Sequence, residues 1–349
     1  MKLGYLMLLF VALIVMVSCT VPTPVTSPEP SPPSAESTIK SEPAIPAPAP
    51  PKDVLSMEGK GYIAYGQEAE GVELCPHGLA WDGQFLWVTN EATCSCFQDP
   101  SKCAQSHQSK YIFKVDPDSG LIIDKFRASS FTENGATYDG KYLWTTGLHN
   151  PNEILPPWED PDAYELIYKY SIEGDSLSLV ERYALPEPTF GSGMAITFDG
   201  EGNLWVSTPN SIAQLDLLPN NEADYHPGLE DVWSTRVVRS YTLVSEEWVI
   251  GGFEWINWES GREELIICGY YKPHTANVKY WISILDPARD FSERWGKMWL
   301  PGTEEKPVVG NWGIAWDSDN EILWTLADRI FRHARDSNIT YLEPLFGEK

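Results

Sequence analysis

A unit of about 58 residues recurs five times from residue 59 onward. The copies are CPHGLAWDGQFLWVTN (75–90), ENGATYDGKYLWTTG (133–147), GSGMAITFDGEGNLWVST (191–208), GGFEWINWESGREELIICG (251–269) and NWGIAWDSDNEILWTLA (311–327). Their glycines Gly78, Gly135, Gly193, Gly252 and Gly313 are spaced by 57, 58, 59 and 61 residues. A fixed period of this length belongs to solenoids and propellers, whose units cannot bury their apolar faces alone.

The local pattern selects the propeller. Most copies hold a short apolar run, an Asp-Gly turn and a second run with Leu-Trp, the signal of a tight hairpin. A third strand follows in YIFKVDP (111–117), LIYKYSI (166–172), SIAQLDL (211–217), YWISILDP (280–287) and RIFRHA (329–334). A fourth closes most units as LIIDKF, LSLVERYAL, VVRSYTL and SERWGKMWL. No helical period competes with these strands. The expectation is an all-β, five-bladed β-propeller over 59–349, with four antiparallel strands per blade and a six-bladed ring as the weaker alternative. Of the 15 tryptophans, those that recur in phase are expected to pack between blades. GYIAYG (61–66) and residues 338–346 compete to supply the strand that closes the ring and removes an exposed edge.

The first 58 residues carry an address. Lys2 begins a positive n-region, Leu6 to Val17 is apolar, and Ser18-Cys19 follows, as in a bacterial lipoprotein signal cut before a Cys that takes lipid. The apolar run is too short to span a bilayer, which needs about 20 residues. Residues 20–58 hold eleven prolines and no aromatic residue, so they are expected to remain an extended stalk. The predicted organisation is a signal over 1–18, a lipidated Cys19 with its stalk to 58, and the propeller over 59–349. Such a protein is membrane-attached only through lipid and faces the cell surface or periplasm.

Charge narrows the partners. Lys and Arg number 25 against 50 Asp and Glu, a net charge of −25, which excludes nucleic-acid binding through a broad basic surface. No nucleophile elbow, phosphate loop or zinc-protease helix motif occurs. A monomer is expected, with no required cofactor.

The segments GSGMAITFDGEGNLWVST, GGFEW (251–255) and NWGIAWDSDNEILWT (311–325) resemble the blade openings of plant-type glutaminyl cyclase (glutamine cyclotransferase) propellers, over most of 75–334. The resemblance implies the propeller fold, with Glu254 where the family has a Glu-Trp pair. The family's proton-moving Glu follows Gly-Leu in the first blade, where this chain has Ala80, and the family's last-blade Lys-Trp stretch is replaced by Ala327-Asp328-Arg329. The resemblance therefore carries over the fold and not the reaction.

A site is expected at the mouth of the central channel. Loops 91–109, 147–164 and 269–279 are long where their counterparts are tight turns, and long loops on a rigid scaffold are where function concentrates. His77, Asn134, Ser192, Glu254 and Asn311 lead into the innermost strands, and Trp158, Tyr270 and Tyr271 stand as aromatic walls suited to stacking on a sugar or aromatic group. A metal alternative draws on His77, His107, His149, His274 and Glu91, with Glu133, Glu153 and Glu254 nearby, holding a divalent Ca, Mg or Zn. His226 belongs to the opposite face and His333 to a strand.

Cys75, Cys94, Cys96 and Cys103 cluster in the first blade and are expected to form disulfides outside the cytoplasm, their pairing open and a metal knuckle the alternative. Cys268 aligns with Thr89, Thr146 and Ser207 and reads as a buried thiol. The functional expectation is a ligand-binding propeller for a glycan, small molecule or protein. The alternative is a metal-assisted lyase or hydrolase, or a divergent cyclase.

Overall fold

The computed structural model describes residues 68–69, 72–73, 76–90, 110–130, 132–149, 164–186, 195–218, 232–244, 248–257, 261–271, 280–300, 313–320, 322–326 and 330–334. All belong to the unit Pro51–Lys349. The signal, the stalk, Cys19, the first-blade cysteines and both candidate closing strands lie outside them.

The first two strands, β1 (Glu68–Ala69) and β2 (Val72–Glu73), pair with each other. Sheet one is β3 (Pro76–Trp81), β4 (Leu86–Asn90), β5 (Tyr111–Val115) and β6 (Ile122–Arg127). Sheet two is β7 (Thr132–Tyr138), β8 (Tyr142–His149), β9 (Tyr164–Glu173) and β10 (Ser176–Ala184). Sheet three is β11 (Ile196–Phe198), β12 (Leu204–Ser207), β13 (Ser211–Leu218) and β14 (Val232–Thr242). Sheet four is β15 (Trp248–Asn257), β16 (Glu263–Tyr271), β17 (Tyr280–Asp286) and β18 (Ser292–Leu300). Sheet five shows β19 (Gly313–Asp317), β20 (Ile322–Leu326) and β21 (Ile330–Ala334).

Within each sheet neighbours in sequence are antiparallel neighbours in space, as expected for a meander. One pairing is additional: β10 and β14 run parallel through Arg182↔Val232 and Tyr183↔Trp233, joining the outer strands of sheets two and three. The helical content of the described residues is a 3-10 turn at Pro287–Arg289, and among them no helix is long and apolar enough to cross a membrane.

The first strand of each sheet meets the next in cyclic order: β3 with β7, β7 with β11, β11 with β15, β15 with β19, and β19 again with β3. Five apolar clusters fill the five junctions. Ile112, Phe126 and Leu166 meet between sheets one and two, and Ile167 and Val206 between two and three. Trp205 and Phe253 meet between three and four, Ile282 and Ile314 between four and five, and Phe113 and Ala315 between five and one. A ring of meandering sheets packed face to face in this way is a β-propeller.

The repeat now has a physical cause. A Cβ on Gly135 would stand 2.7 Å from the Ala195 Cα, one on Gly313 would stand 2.9 Å from the Leu79 Cβ, and one on Gly78 would run into the Asn134 carbonyl oxygen. The glycine is where one inner strand touches the backbone of the next, and any side chain would wedge the ring open. In sheet three the position belongs to Ala195 rather than Gly193. Ala195 lies four residues before Asp199, as Gly78 and Gly135 lie four before Asp82 and Asp139, and its N–H donates to Ser207 Oγ at 3.0 Å. The Gly78 and Gly135 N–H groups donate likewise to Thr89 Oγ1 (2.6 Å) and Thr146 Oγ1 (2.9 Å).

The expected packing role of the tryptophans holds. Trp87, Trp144, Trp205 and Trp324 are each buried at a junction. Trp87, Trp144 and Trp205 donate their indole N–H to the turn carboxylates of Asp82, Asp139 and Asp199 at 2.7, 2.7 and 2.9 Å. One Asp therefore both closes the hairpin through backbone N–H groups and orients the ring. Sheet four has Ile266 instead, and its junction with sheet five is aliphatic, with Cys268 a buried thiol among isoleucines. Burial raises the proton affinity of that thiol.

Candidate functional site

The innermost strands determine which side chains converge on the axis. Cross-strand register pairs Ala80 with Trp87, Thr137 with Trp144, Thr197 with Trp205, Glu254 with Ile266 and Ala315 with Trp324. These five residues hold one rank of the ring, and Glu254 is its single carboxylate among small uncharged neighbours. His77 and Asn134 stand three positions earlier, directly before Gly78 and Gly135. Of the residues expected to form one ring, His77 and Asn134 therefore do not share a rank with Glu254. The bulge between Ile250 and Gly252, like those between Pro76 and Leu79 and between Glu133 and Ala136, lies before this rank, so Glu254 follows Gly252 by two residues as Ala80 follows Gly78 and Thr137 follows Gly135.

Glu254 is partly accessible and otherwise enclosed by protein. Loss of hydration raises its proton affinity to a pKa of about 8, and the Thr197 hydroxyl from the adjacent sheet acts in the opposite direction. The Thr197 Oγ1 is buried and has no hydrogen-bond partner within the protein. At neutral pH this carboxyl carries its proton, so it can donate a hydrogen bond as well as accept one.

His77 and Asn134 do come together. The His77 ring Nδ1 lies 3.1 Å from the Asn134 carbonyl oxygen, which also accepts from Thr89 Oγ1 at 2.9 Å. A carbonyl can only accept, so Nδ1 carries the hydrogen. His77 is buried in β3, where it ties sheet one to sheet two. Sheets one and four are not neighbours in the ring.

Three further expectations change with the strand boundaries. His149, expected in a loop, is the last residue of β8 and pairs with Tyr164. Tyr270 and Tyr271, expected in the 269–279 loop, are strand residues of β16 and pair with Val249 and Trp248. Backbone pairing extends past the Gly147 and Gly269 positions where the sequence alone suggests that the strands stop. Trp158, His107, His274, Glu91, Glu153, Ser192 and Asn311 lie outside the described residues. Among the described residues no three His, Cys, Asp or Glu side chains gather as a metal group.

A second buried carboxyl, Glu133, sits at the junction of sheets one and two. Tyr170 Oη donates to its Oε1 at 2.8 Å and accepts from the Ser129 N–H at 3.2 Å. Desolvation raises Glu133 to a pKa of about 7, against the hydroxyls of Thr145, Tyr170 and Ser130. Sequence reasoning names this carboxyl and misses its surroundings. The available signal is the pair Thr145↔Tyr168, two polar-tipped residues where sheet one has Val88↔Phe113 and sheet three Val206↔Ala213.

No family model and no curated protein matches the chain. Among solved structures, the hydrazine synthase of Kuenenia stuttgartiensis is similar at 13% identity and a TM-score of 0.36, over 72% of this chain and 61% of that one. A mutant of the GH43 protein BlXynB from Bacillus licheniformis is similar at 10% identity and a TM-score of 0.42, over 76% of this chain and 49% of that one. The chain thus spans less than two thirds of either structure. The propeller assignment rests on the protein's own five sheets and their cyclic contacts.

Proposed function

We propose that this chain is a lipid-anchored extracytoplasmic protein whose propeller binds a neutral or cationic ligand, such as a glycan or small molecule, at the mouth of its channel. The observation that carries this reading is Glu254. It is the one carboxyl at its rank of the innermost strands, reachable by solvent, and protonated at neutral pH by desolvation. A group of this kind recognises a ligand by donating or accepting, and binding that excludes the remaining water strengthens both interactions. The surrounding net charge of −25 disfavours anions.

Thermal-shift measurement with panels of neutral glycans, amines and divalent metals tests the site. At least one class is expected to raise the melting temperature of the wild type, and to raise it less in Glu254→Ala and Trp158→Ala. Equal shifts in all three proteins would remove Glu254 from ligand binding. The anchor is tested separately: Cys19→Ser should release a folded protein from membranes, and retention of an uncleaved membrane-bound product would refute lipid attachment.

The same carboxyl favours one second reading. A pKa near the working pH suits a general acid–base. Glu254 also holds in sheet four the rank that Ala80 holds in sheet one, the position where the glutaminyl cyclases carry their proton-moving Glu. A divergent cyclase would place proton transfer on Glu254. Conversion of an N-terminal glutaminyl peptide to the pyroglutamyl peptide with release of ammonia by the wild type, lost in Glu254→Gln, would establish this reading.

A further inference from the structure

The junction of sheets one and two buries oxygen atoms that the protein itself does not satisfy. Ser130 Oγ, Glu133 Oε2, Thr145 Oγ1 and Tyr168 Oη are all inaccessible to solvent, and none has a hydrogen-bond partner among the described residues. The four residues are 2%, 1%, 0% and 0% exposed, so water at the surface does not serve them. An unpaired buried polar atom is costly, and four in one place is far from the norm for a folded interior.

The four atoms belong to one cluster. Thr145 and Tyr168 are direct cross-strand partners on β8 and β9. The Ser130 and Thr145 hydroxyls both act on the Glu133 carboxyl, and the Glu133 charge acts on Tyr168. Yet neither hydroxyl completes a hydrogen bond to the carboxyl. Two hydroxyls that act on a carboxyl without completing a bond to it, and a third on the cross-strand partner of one of them, leave the arrangement expected around an inserted atom that the four oxygens share.

Charge decides what that atom is. Every donor is oxygen, which selects a hard cation over zinc or copper. Among the described residues hydroxyls and not charged side chains act on Glu133, while Arg182 and Glu165 act on Tyr168 with opposite signs, and burying a carboxylate without a cation beside it is strongly unfavourable. One carboxylate neutralises one positive charge. A divalent ion would leave a net charge in the junction, and a monovalent ion leaves none. We infer that Glu133, Ser130, Thr145 and Tyr168 form an internal site for a monovalent hard cation, Na+ or K+, which bridges sheets one and two. The site is separate from Glu254, which lies in sheet four, and its role is to hold two blades together.

The test titrates NaCl or KCl against choline chloride at constant ionic strength, using the full-length protein in detergent, and follows the melting temperature. Constant ionic strength separates site binding from screening of the −25 net charge. A saturable rise with Na+ or K+ that choline does not reproduce is expected. Glu133→Gln should abolish the cation dependence. Tyr168→Phe keeps the carboxylate and removes one neutral ligand, so it should raise the half-saturating concentration about tenfold, equivalent to about 1.4 kcal/mol. Crystals grown with Rb+ should show an anomalous peak beside Glu133. Identical melting curves in choline, Na+ and K+, a cation response that survives in Glu133→Gln, or a crystal with only water in the pocket would overturn the assignment.

Discussion

The junction between sheets three and four and the junction between sheets one and two use equivalent strands at equivalent registers, and they are stabilised in opposite ways. Between three and four, Trp205 stacks on Trp255 at 5.4 Å and meets the Phe291 edge at 5.8 Å, while the Arg239 guanidinium lies 5.1 Å from the Trp205 ring. Between one and two, a carboxyl and three hydroxyls sit among Trp87, Phe126, Leu166 and Tyr170. One junction is closed mainly by apolar packing around stacked aromatic rings, and the other encloses a carboxyl with three hydroxyls that need a partner. The comparison teaches that a repeated blade fixes the backbone of each junction but leaves its chemistry free, so one junction can be given over to packing while another keeps a site.

The largest expected break in this contrast is Trp205→Ala. It removes a ring that is fully buried and bonded to Asp199, and should destabilise by about 3–5 kcal/mol in chemical denaturation. Gly135→Ala comes next, at about 2–3 kcal/mol, because the new Cβ meets the backbone of Ala195 and cannot be relieved by a rotamer change. Ala195→Gly, at the equivalent rank, should cost less than either, and comparing the melting temperatures of the two variants checks that the ring contact and not strand propensity sets the difference.

Glu254 supplies the pH dependence. Its folded pKa of about 8 stands above its ordinary value of 4.5. Below pH 4.5 the group is protonated in both states and its contribution is complete. As pH rises toward 8 the unfolded chain releases a proton that the folded one retains, so stability falls. With allowance for solvent at this partly open position, the loss is on the order of 1–3 kcal/mol. Glu254→Gln should flatten that slope relative to wild type, and unchanged slopes in urea titrations at about pH 5 and about pH 8 would contradict the desolvated carboxyl. The smallest effect belongs to the polar junction: in choline chloride, Tyr168→Phe should change stability by under about 1 kcal/mol or raise it, since it deletes an unpaired hydroxyl.

Much of the ring is legible in the chain's own repeat. The spacing of the units, the Asp-Gly hairpins and the in-phase tryptophans are enough for a five-unit β-propeller, because each records a contact local to one blade or one junction. The alignment of Cys268 with Thr89, Thr146 and Ser207 also holds: it occupies the position whose side chain faces the inner-strand N–H, here that of Gly252. The rank of Glu254 is legible too, since Glu254 follows Gly252 by two residues as Ala80 follows Gly78; what the repeat misplaces is sheet three, where it points to Gly193 and the position belongs to Ala195.

By itself, then, the sequence determined the repeat, the turn carboxylates and the glycines, since these follow from backbone geometry that every copy must obey. Only the tertiary structure decided that Ala195 stands at the Gly78 rank and that His77 meets the Asn134 carbonyl. It alone gathered Ser130, Glu133, Thr145 and Tyr168 as well. Those relations depend on how far one strand slides against another and how closely two sheets approach, and both are set by packing across the junctions, between residues far apart in the chain.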